Sequence, residues 1–449
     1  MASFNSDFIK IKTGQGYQTA INDFLNSCER KAMIVAEDYY NGKNTTVNAL
    51  KRVYWSDRLK GWAENAFVAN NKIGYGFFYD MVSQKVNTLH NEPPSITMDK
   101  KYKFPNDYEK QLGFSLKKAG TLASIQGTAF MFEDLDNNIS VFKASDCIPY
   151  YDDDSGVLRA LIRFWIVKTK YKDILYFEVY EEDGVTKYRD TPRLEIVQNK
   201  IPYKFTVRSS AISSEVENAT ISKIPIVEYM NNEYRQSDFK PNIRSKIDII
   251  DIIESGFANN IEDFSEVYWT IKESANVPMD TYEDFVANIS RTKKVFGEDI
   301  KPNQIAIPTE ARSTFVKMMK EDLIKDSGVI DTETMTGSSL TTTAIKAATM
   351  KLRQRVSDLE WFAYQSTNEL IAIYQIYNNL NFEFEVVFEK MLISNDTEII
   401  DNVVKISSDL SEYDRFVIYK RANMIDDVEE AIKRKQSESV FTIVEPTEV

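Results

Sequence analysis

Two short runs of acidic residues are the strongest candidates for chemistry in this chain. Asp152–Asp154 lie in DDDSG and Glu181–Asp183 lie in EEDG, and clustered carboxylates can hold divalent metal ions for phosphodiester hydrolysis. Neither run has the residue spacing of an EF-hand, and each lies between two segments that alternate like strands. We therefore interpret both runs as solvated turns, and a metal-dependent nuclease built from scattered acids stays open as an alternative.

The chain lacks the residues that other common catalytic and cofactor sites require. The chain has no GxxxxGK[ST] motif, and Gly74 and Gly76 are not followed by the third glycine of a dinucleotide fingerprint. The single histidine, His90, is interpreted as a solvated residue at a helix C-terminus. Cys28 and Cys147, which we expect to be buried thiols, provide neither a disulfide framework nor zinc spacing. The sequence predicts no cofactor and no metal site.

The composition of the chain limits the partners that it can bind. The 449 residues are 43% hydrophobic and 12% aromatic, which is enough for a sizeable core. The formal net charge is −13, so binding of a phosphate backbone over a broad surface is disfavoured. Acidic side chains could still repel DNA that passes the protein and keep it from adhering to the surface. No stretch reaches about 18 consecutive apolar residues and the N-terminus lacks a signal-peptide core, so we expect a protein used inside a cell with no membrane partner.

The predicted secondary structure changes from helices to strands along the first half of the chain. Residues 1–70 are predicted to be helical, with a first helix over 16–42, and 74–94 and 105–127 also have apolar residues at helical spacing. From about 128 to 229 apolar and polar residues alternate between turn signals, which predicts a meander of antiparallel strands.

A long helix follows the meander, with Ser237 or Asp238 as its expected N-cap. Apolar residues recur along it at steps of three and four, which predicts a stripe about 30 Å long on one face. The stripe consists of Ile243, Ile247, Ile250, Ile253, Phe257, Ile261 and Phe264.

The remainder of the chain alternates irregular and helical segments. Residues 265–308 contain short strand-like pieces, 309–326 are helical, and 328–342 are rich in Ser, Thr and Gly. A second long helix is expected over 343–378, and a charged helical tail over 396–437. This order predicts an α+β protein.

Four segments resemble the portal proteins of tailed bacteriophages, in the branch typical of long-tailed phages of Gram-positive hosts. Gln84–Pro93 reads QKVNTLHNEP where that branch has QKVNYLLGKP, and Ile224–Phe239 corresponds to its IPVVEFxNNxxxxSDFE. Ser255–Phe264 corresponds to SDxANDIEDF with two departures, and 336–346 corresponds to TGxxSGxALK without the glycine after the serine. The resemblance covers most of the chain from 39 to 378.

The resemblance implies the portal fold. This fold has a mainly helical wing and crown, an antiparallel β meander in the wing, long stem helices and a small clip module. The implied division is 1–236 wing, 237–264 stem helix, 265–308 clip, 309–327 second stem helix, 328–342 channel (tunnel) loop, 343–395 long wing helix and strand, and 396–449 crown and C-terminal tail.

The resemblance also implies the function and the partners. Portal subunits form rings, usually of twelve, so we expect a non-enzymatic ring at one capsid vertex of the virion, assembled in the host cytoplasm. Double-stranded DNA would enter through it during packaging and leave during ejection, without sequence specificity. The implied protein partners are further copies of the chain (a homododecamer), the terminase large subunit, the head–tail adaptor, and the major capsid and scaffolding proteins.

Three groups of residues are candidates for these roles. Hydroxyl groups can touch phosphates without the full charge of Lys or Arg, and the channel-loop candidates are Thr336, Gly337, Ser338, Ser339, Thr341 and Thr342. The channel-lining candidates are Asp248, Asp251, Glu254, Lys346 and Arg353. The candidates for docking partners at the clip are Trp269, Arg291, Lys293, Lys294 and Phe296.

Two other functions stay open on sequence alone. A different ring-forming head–tail adaptor is one, although such proteins are usually much shorter. The metal-dependent nuclease is the other. A portal should form particles of several hundred kDa and should not cut DNA in the presence of Mg²⁺.

Overall fold

The computed structural model gives the positions of most of the chain. It describes residues 2–3, 7–12, 14–56, 59–65, 68–99, 101–105, 107–170, 172–191, 193–209, 214–219, 224–264, 268–272, 294–297, 301–303, 309–331, 347, 349–391, 411–421 and 428–440.

Helices form where apolar residues recur at steps of three and four. They are α1 (Gly14–Asn26), α2 (Cys28–Tyr40), α3 (Thr45–Ala49), α4 (Phe77–Leu89), α5 (Tyr108–Gln126), α6 (Pro241–Phe264), α7 (Thr309–Ser327), α8 (Met350–Asn378), α9 (Glu412–Arg421) and α10 (Val428–Val440), with short 3-10 helices at Ile9–Ile11 and Ala144–Asp146.

Strands fill the segment between α5 and α6 and recur at other places. They are β1 (Ala2–Ser3), β2 (Val53–Ser56), β3 (Gly61–Glu64), β4 (Ser95–Met98), β5 (Thr128–Glu133), β6 (Ile139–Lys143), β7 (Cys147–Tyr151), β8 (Leu158–Lys168), β9 (Asp173–Glu181), β10 (Gly184–Thr191), β11 (Arg193–Ile201), β12 (Lys204–Ser209), β13 (Ser214–Ala219), β14 (Ile226–Met230), β15 (Tyr268–Lys272), β16 (Lys294–Gly297), β17 (Lys301–Asn303) and β18 (Phe384–Val387).

The predicted antiparallel meander is confirmed. One sheet has the order β1-β7-β8-β9-β10-β11, in which only the short β1 pairs in parallel, and a second has the order β14-β5-β6. The acidic runs lie in turns, as expected. Asp152 Oδ1 accepts the Ser155 N–H at 2.9 Å between β7 and β8, and the other run closes the β9–β10 hairpin. Among the described residues, no group of three or more His, Cys, Asp or Glu could hold a metal ion.

Helix α6 begins later than the sequence indicated. Ser237 Oγ accepts the Phe239 N–H at 2.9 Å, and the Asp238 carboxylate is paired with Lys85, which is buried, and with Arg355, which is partly exposed. Pro241 takes the first helical position, where its missing N–H costs nothing. The prediction that Ser237 or Asp238 caps this helix is therefore wrong.

The chain divides into two compact units, 1–329 with 354–390, and 330–353 with 391–449. In the first unit, α2, α4, α6 and α7 share one apolar core, and a second core lies between α1 and strands β7–β9. The second unit contains α9 and α10, which lie within the predicted helical tail. No helix in the described part of the chain is long and apolar enough to cross a membrane.

Three smaller predictions differ from the structure. His90 is buried rather than solvated, because its Nε2 lies 2.8 Å from the Tyr229 hydroxyl and its ring packs against Phe388. Cys147 is buried as expected, but Cys28 is exposed on α2. The long helix expected from 343 has its bounds at Met350–Asn378, and 341–346 lie outside the described residues.

Candidate functional site

The apolar stripe of α6 is only partly used as core within one chain. Ile243, Ile247 and Ile250 are buried and pack in the core that includes Leu323 of α7. Further along, Ile261 is 48% exposed. The buried face of α6 is therefore apolar in the first half of the helix and polar in the second half.

Those polar side chains bind the backbone of the segment that leads into α4. Three side chains at steps of four on α6 each accept one backbone N–H, and the three donors are alternate residues of that segment. The segment runs antiparallel to α6. The pairs are Asp251 Oδ1 with Tyr75 N at 2.9 Å, Ser255 Oγ with Ile73 N at 2.9 Å, and Asn259 Oδ1 with Asn71 N at 2.6 Å.

The match follows from the geometry of the two backbones. Residues four apart on an α-helix are separated by about 6 Å along its axis, and residues two apart in an extended chain by about 6.6 Å. A row of acceptors at i, i+4 and i+8 therefore meets alternate N–H groups over two turns. The Asn71 side chain extends the row by donating from Nδ2 to Glu262 at 2.6 Å.

The start of α6 is held by a buried cluster of charges. Asp238 Oδ2 accepts from Lys85 Nζ on α4 at 3.0 Å and from Arg355 on α8 at 2.9 Å. Asn231, which follows β14, donates to Asp238 Oδ1 at 3.1 Å and accepts from Lys85 at 2.6 Å. Arg355 also donates to the carbonyl of Ser327, the last residue of α7, at 2.7 Å. One carboxylate thus joins α4 and α8 at the start of α6, and Arg355 links that cluster to the end of α7.

The pKa shifts in this cluster follow from burial and pairing. Burial by itself raises the pKa of Asp238, but Lys85 and Arg355 more than reverse this effect and hold the pKa below its usual value. Burial lowers the pKa of Lys85, against the attraction of Asp238. The polar cavity beside the cluster has a volume of about 340 Å³ and is also lined by Lys240 and Asp358.

The acidic candidates for channel lining are largely engaged within the chain. Asp251 is fully buried and accepts from Asn44 Nδ2 at 2.7 Å, so the prediction that its side chain lines a channel is wrong. Burial raises the pKa of Asp251 to about 6. Asp248 accepts from the Tyr39 hydroxyl and from Thr46.

Glu254 joins α6 to α7. Its carboxylate forms an ion pair with Lys320 of α7 at 2.8 Å, and about a quarter of its side chain is exposed. A second ion pair, between Lys246 and Asp326 at 2.7 Å, joins α6 to the end of α7. A channel-facing role for Asp248 and Glu254 stays a prediction.

The other candidates are placed only in part. The channel-loop residues Thr336–Thr342 and Lys346 lie outside the described residues, as do Arg291 and Lys293 of the clip. Arg353 lies on α8, where its Nε donates to Thr349 Oγ1 at 3.0 Å.

Three clip candidates have a described backbone. Trp269 lies on β15 and pairs with Lys294 on β16, and Phe296 pairs with Ile271. Strand β15 is central in this small sheet, with β16 parallel on one side and β17 antiparallel on the other. The short strand-like pieces expected in 265–308 are therefore present.

Sequence reasoning missed the contacts that connect the resembling segments. Lys85, Asn231 and Asp238 lie in the first two of them, and the Ser255–Phe264 segment meets the residues that precede α4. The row of polar residues at steps of four on α6 was a visible signal. Asp251, Ser255 and Asn259 continue at steps of four from Ile247, and polar residues that continue a buried apolar row indicate that the helix meets polar groups there.

Comparisons with known proteins match most of the chain. Residues 26–440 match the family model described as "Phage portal protein, SPP1 Gp6-like". The portal protein of Clostridium phage phiCD119 is 25% identical over 443 residues, which cover 91% of this chain and 92% of that protein.

Two solved structures have distant similarity. A chain in the neck of an empty GTA particle computed with C6 symmetry has a TM-score of 0.37 at 9% identity, covering 83% of this chain and 96% of that chain. A chain in the virion of a native gene transfer agent particle has a TM-score of 0.38 at 9% identity, with 86% and 98% covered.

The matched region runs from the residues before α2 to the end of α10, so it includes both long helices, the meander and the charge cluster. A match of this extent defines the class, which is that of the phage portal proteins. The chain belongs to the SPP1 Gp6-like family of that class. Its members are structural components of the phage, and the portal role is favoured over the head–tail adaptor and the nuclease.

Proposed function

We propose that copies of this chain form a closed ring at one vertex of a phage capsid. Double-stranded DNA passes through the central channel, inward during packaging and outward during ejection. The observation that carries this proposal is the family match over residues 26–440. Twelve subunits are the number that the family resemblance favours, and the ring has no enzymatic activity of its own.

Exposed apolar side chains on α6 and α7 support the ring. Ile249 and Ile252 on α6, and Phe315 and Met318 on α7, are exposed in a single chain. Apolar residues at steps of three on the outer side of a helix suit burial by a neighbouring subunit. Salt bridges on the inner side already join the two helices to each other.

We assign the parts of the chain to portal regions on the same basis. Helices α6 and α7 are the stem, and the small sheet of β15, β16 and β17 belongs to the clip. Residues 1–236 and 343–395 form the wing, 328–342 the channel loop, and 396–449 the crown. The clip docks the terminase large subunit during packaging and the head–tail adaptor afterwards.

Electron microscopy of the purified protein tests the ring directly. End-on views should show a closed ring with a central hole, and light scattering should give a particle of about twelve times the 51.8 kDa chain. A stable monomer at micromolar concentration would contradict the proposal. Cleavage of DNA by the purified protein with Mg²⁺, lost on chelation, would favour the nuclease.

A deletion tests the channel loop. Removing residues 336–339 should leave ring assembly and incorporation into procapsids normal, while lowering the amount of DNA packaged or retained. The reason is that the Ser/Thr-rich loop provides uncharged hydroxyl groups for sliding contacts with phosphates. Full-length packaging by the deletion variant would refute the loop's role and leave the ring proposal intact.

Charge reversal tests the clip. Replacing Arg291, Lys293 and Lys294 with Glu should weaken binding of the terminase motor or the adaptor, because the replaced residues are the basic group of this module. The ring itself should form normally. Unchanged docking would show that these residues do not face the partner.

A further inference from the structure

The first compact unit is interrupted in sequence by a segment of the second unit. The chain leaves the first unit after Val329 and re-enters it at Gln354. Residues on the two sides of this interruption meet, because Arg355 Nη1 donates to the Ser327 carbonyl at 2.7 Å. One hydrogen bond therefore joins the point of exit to the point of re-entry.

The point of exit is fixed at the end of α7. Ser327 is 2% exposed, and its hydroxyl donates to the Ile324 carbonyl at 3.1 Å and accepts the Val329 N–H at 3.3 Å. Gly328 turns the chain with a φ of +69°, a left-handed conformation that suits glycine after a helix, and its N–H donates to the Ile324 carbonyl at 3.0 Å. The last carbonyls of a helix have no partner within it. Arg355 therefore gives the buried Ser327 carbonyl a partner that α7 itself cannot provide.

The point of re-entry is fixed through another nitrogen of the same guanidinium. Arg355 Nη2 donates to Asp238 Oδ2 at 2.9 Å, and Lys85 Nζ lies 3.0 Å from that oxygen. A planar guanidinium can serve two acceptors through separate nitrogens, whereas a lysine ammonium has all of its donors on one nitrogen. The bridge between the end of α7 and the buried carboxylate therefore requires an arginine.

We propose that Arg355 is a positioning residue for the passage of DNA. The inference rests on the proposed function, in which residues 328–342 are the channel loop. That loop lies between Ser327 and Arg355 in sequence, so a force that DNA exerts on it is transmitted along the chain to both residues. Contacts with phosphates that carry no sequence information depend on where the loop is held. Arg355 holds the two ends together and ties them to Asp238, and it does not need to touch DNA for this role.

A conservative replacement of the arginine tests the positioning role. Arg355→Lys keeps a cation for Asp238 but cannot serve the Ser327 carbonyl through a second nitrogen. Hydrogen exchange in the peptide that contains Gly328 and Val329 should become about threefold faster or more, because the hydrogen bond that fixes this end of α7 is lost. Rings should form as in wild type, and procapsids that contain the variant should retain less DNA.

Arg235→Lys is the matched control. The side chains of Arg235 and Arg355 are each 20% exposed, and Arg235 also uses two nitrogens, which donate to the Glu228 carboxylate at 2.7 and 2.9 Å. Both of those acceptors belong to one carboxylate, and neither is at the point of exit or of re-entry. Arg235→Lys should therefore leave exchange at Gly328 and the amount of retained DNA unchanged, even where its unfolding free energy falls.

The outcomes separate this inference from the proposed function. Wild-type DNA retention by Arg355→Lys, an equal loss in both arginine variants, or unchanged exchange at Gly328 would overturn the positioning role and leave the ring proposal intact. If deletion of residues 336–339 has no effect on DNA, the channel-loop assignment fails and the positioning role fails with it. If wild-type protein forms no rings, the proposed function fails, and the exchange experiment still decides whether Arg355 fixes the end of α7.

Discussion

The carboxylate of Asp238 lies 2.9 Å from the guanidinium of Arg355, although 117 residues separate the two in sequence. Lys85 lies 3.0 Å from the same carboxylate. A buried carboxylate is tolerated when cations and hydrogen bonds compensate for its lost hydration. The cluster therefore fixes the start of α6 against α4 and α8, and Arg355 ties the end of α7 to it.

Removing the charge of Asp238 should destabilise the subunit severely. Asp238→Asn leaves the buried Lys85 ammonium without this counter-charge and removes the same partner from the partly exposed Arg355. Breaking a buried pair in this way typically costs about 3–5 kcal/mol. Chemical denaturation followed by fluorescence measures the loss in unfolding free energy. Asp326→Asn is the control, because its ion pair with Lys246 is partly exposed and such pairs contribute about 0–1 kcal/mol.

The contribution of Asp238 to the free energy of unfolding should decrease in acid. Because its pKa is lower in the folded state than the ordinary value of 3.8, the carboxylate stabilises the fold above that pH. Its contribution is lost as the pH falls below 3.8 and through the folded pKa. Wild type and Asp238→Asn should therefore converge only in strong acid, and convergence near neutral pH would contradict the cluster.

The row of hydrogen bonds between α6 and Asn71–Tyr75 predicts a local effect. Ser255→Ala removes the acceptor of the Ile73 N–H, and loss of a partly buried hydrogen bond of this kind costs about 0.5–1.5 kcal/mol. Hydrogen exchange should become faster at Ile73 and its neighbours, and much less so in the core strands. A uniform change across the protein would indicate global destabilisation instead.

A serine on the same helix provides the control for this experiment. Ser245 is exposed and its hydroxyl only donates back to the Pro241 carbonyl within α6 at 2.8 Å. Ser245→Ala should therefore leave exchange at Ile73 unchanged. Ser255→Thr keeps a hydroxyl at the acceptor position, and it should restore much of the protection that Ser255→Ala loses.

The two sides of α6 show what sequence could and could not reveal. The apolar steps from Ile243 to Ile250 predicted the buried face correctly, because burial of apolar residues follows helical spacing. The acids were assigned to a channel because the chain resembles portal proteins and acids away from the apolar stripe could keep DNA from adhering to the channel wall. Asp251 departs from that assignment since Asn44 and Tyr75 satisfy its oxygens. Those partners are distant in sequence, so only the fold could reveal them.

His90 provides a chemical test of burial, since it is the only histidine in the chain. Burial, with Lys117 nearby, lowers the pKa of His90 to about 3. The imidazole should therefore stay neutral from pH 5 to 8 and should resist diethyl pyrocarbonate in the native protein. Peptide mass spectrometry should find it modified only after unfolding. Rapid modification of the native protein would show that the helix end is open to solvent.

Glu133 predicts a pH dependence of the opposite sign to that of Asp238. It is fully buried at the end of β5, where Oε1 accepts from the Tyr108 hydroxyl at 3.2 Å and Oε2 has no hydrogen-bond partner among the described residues. Burial raises its pKa from 4.5 to about 8, and the nearby Asp134 adds to the rise. The folded state therefore holds a proton that the unfolded chain releases.

Since the folded state binds this proton more tightly, wild-type stability should fall as the pH rises from 4.5 to 8 and should level off above 8. The slope due to this one residue is at most about 1.4 kcal/mol per pH unit. Glu133→Gln cannot ionise, so its unfolding free energy should lack that slope in denaturation curves measured across the range. Tyr108→Phe removes a hydrogen bond that lowers the pKa of Glu133, so the fall should continue above pH 8. Parallel profiles for wild type and Glu133→Gln would show that Glu133 is already ionised in the folded subunit.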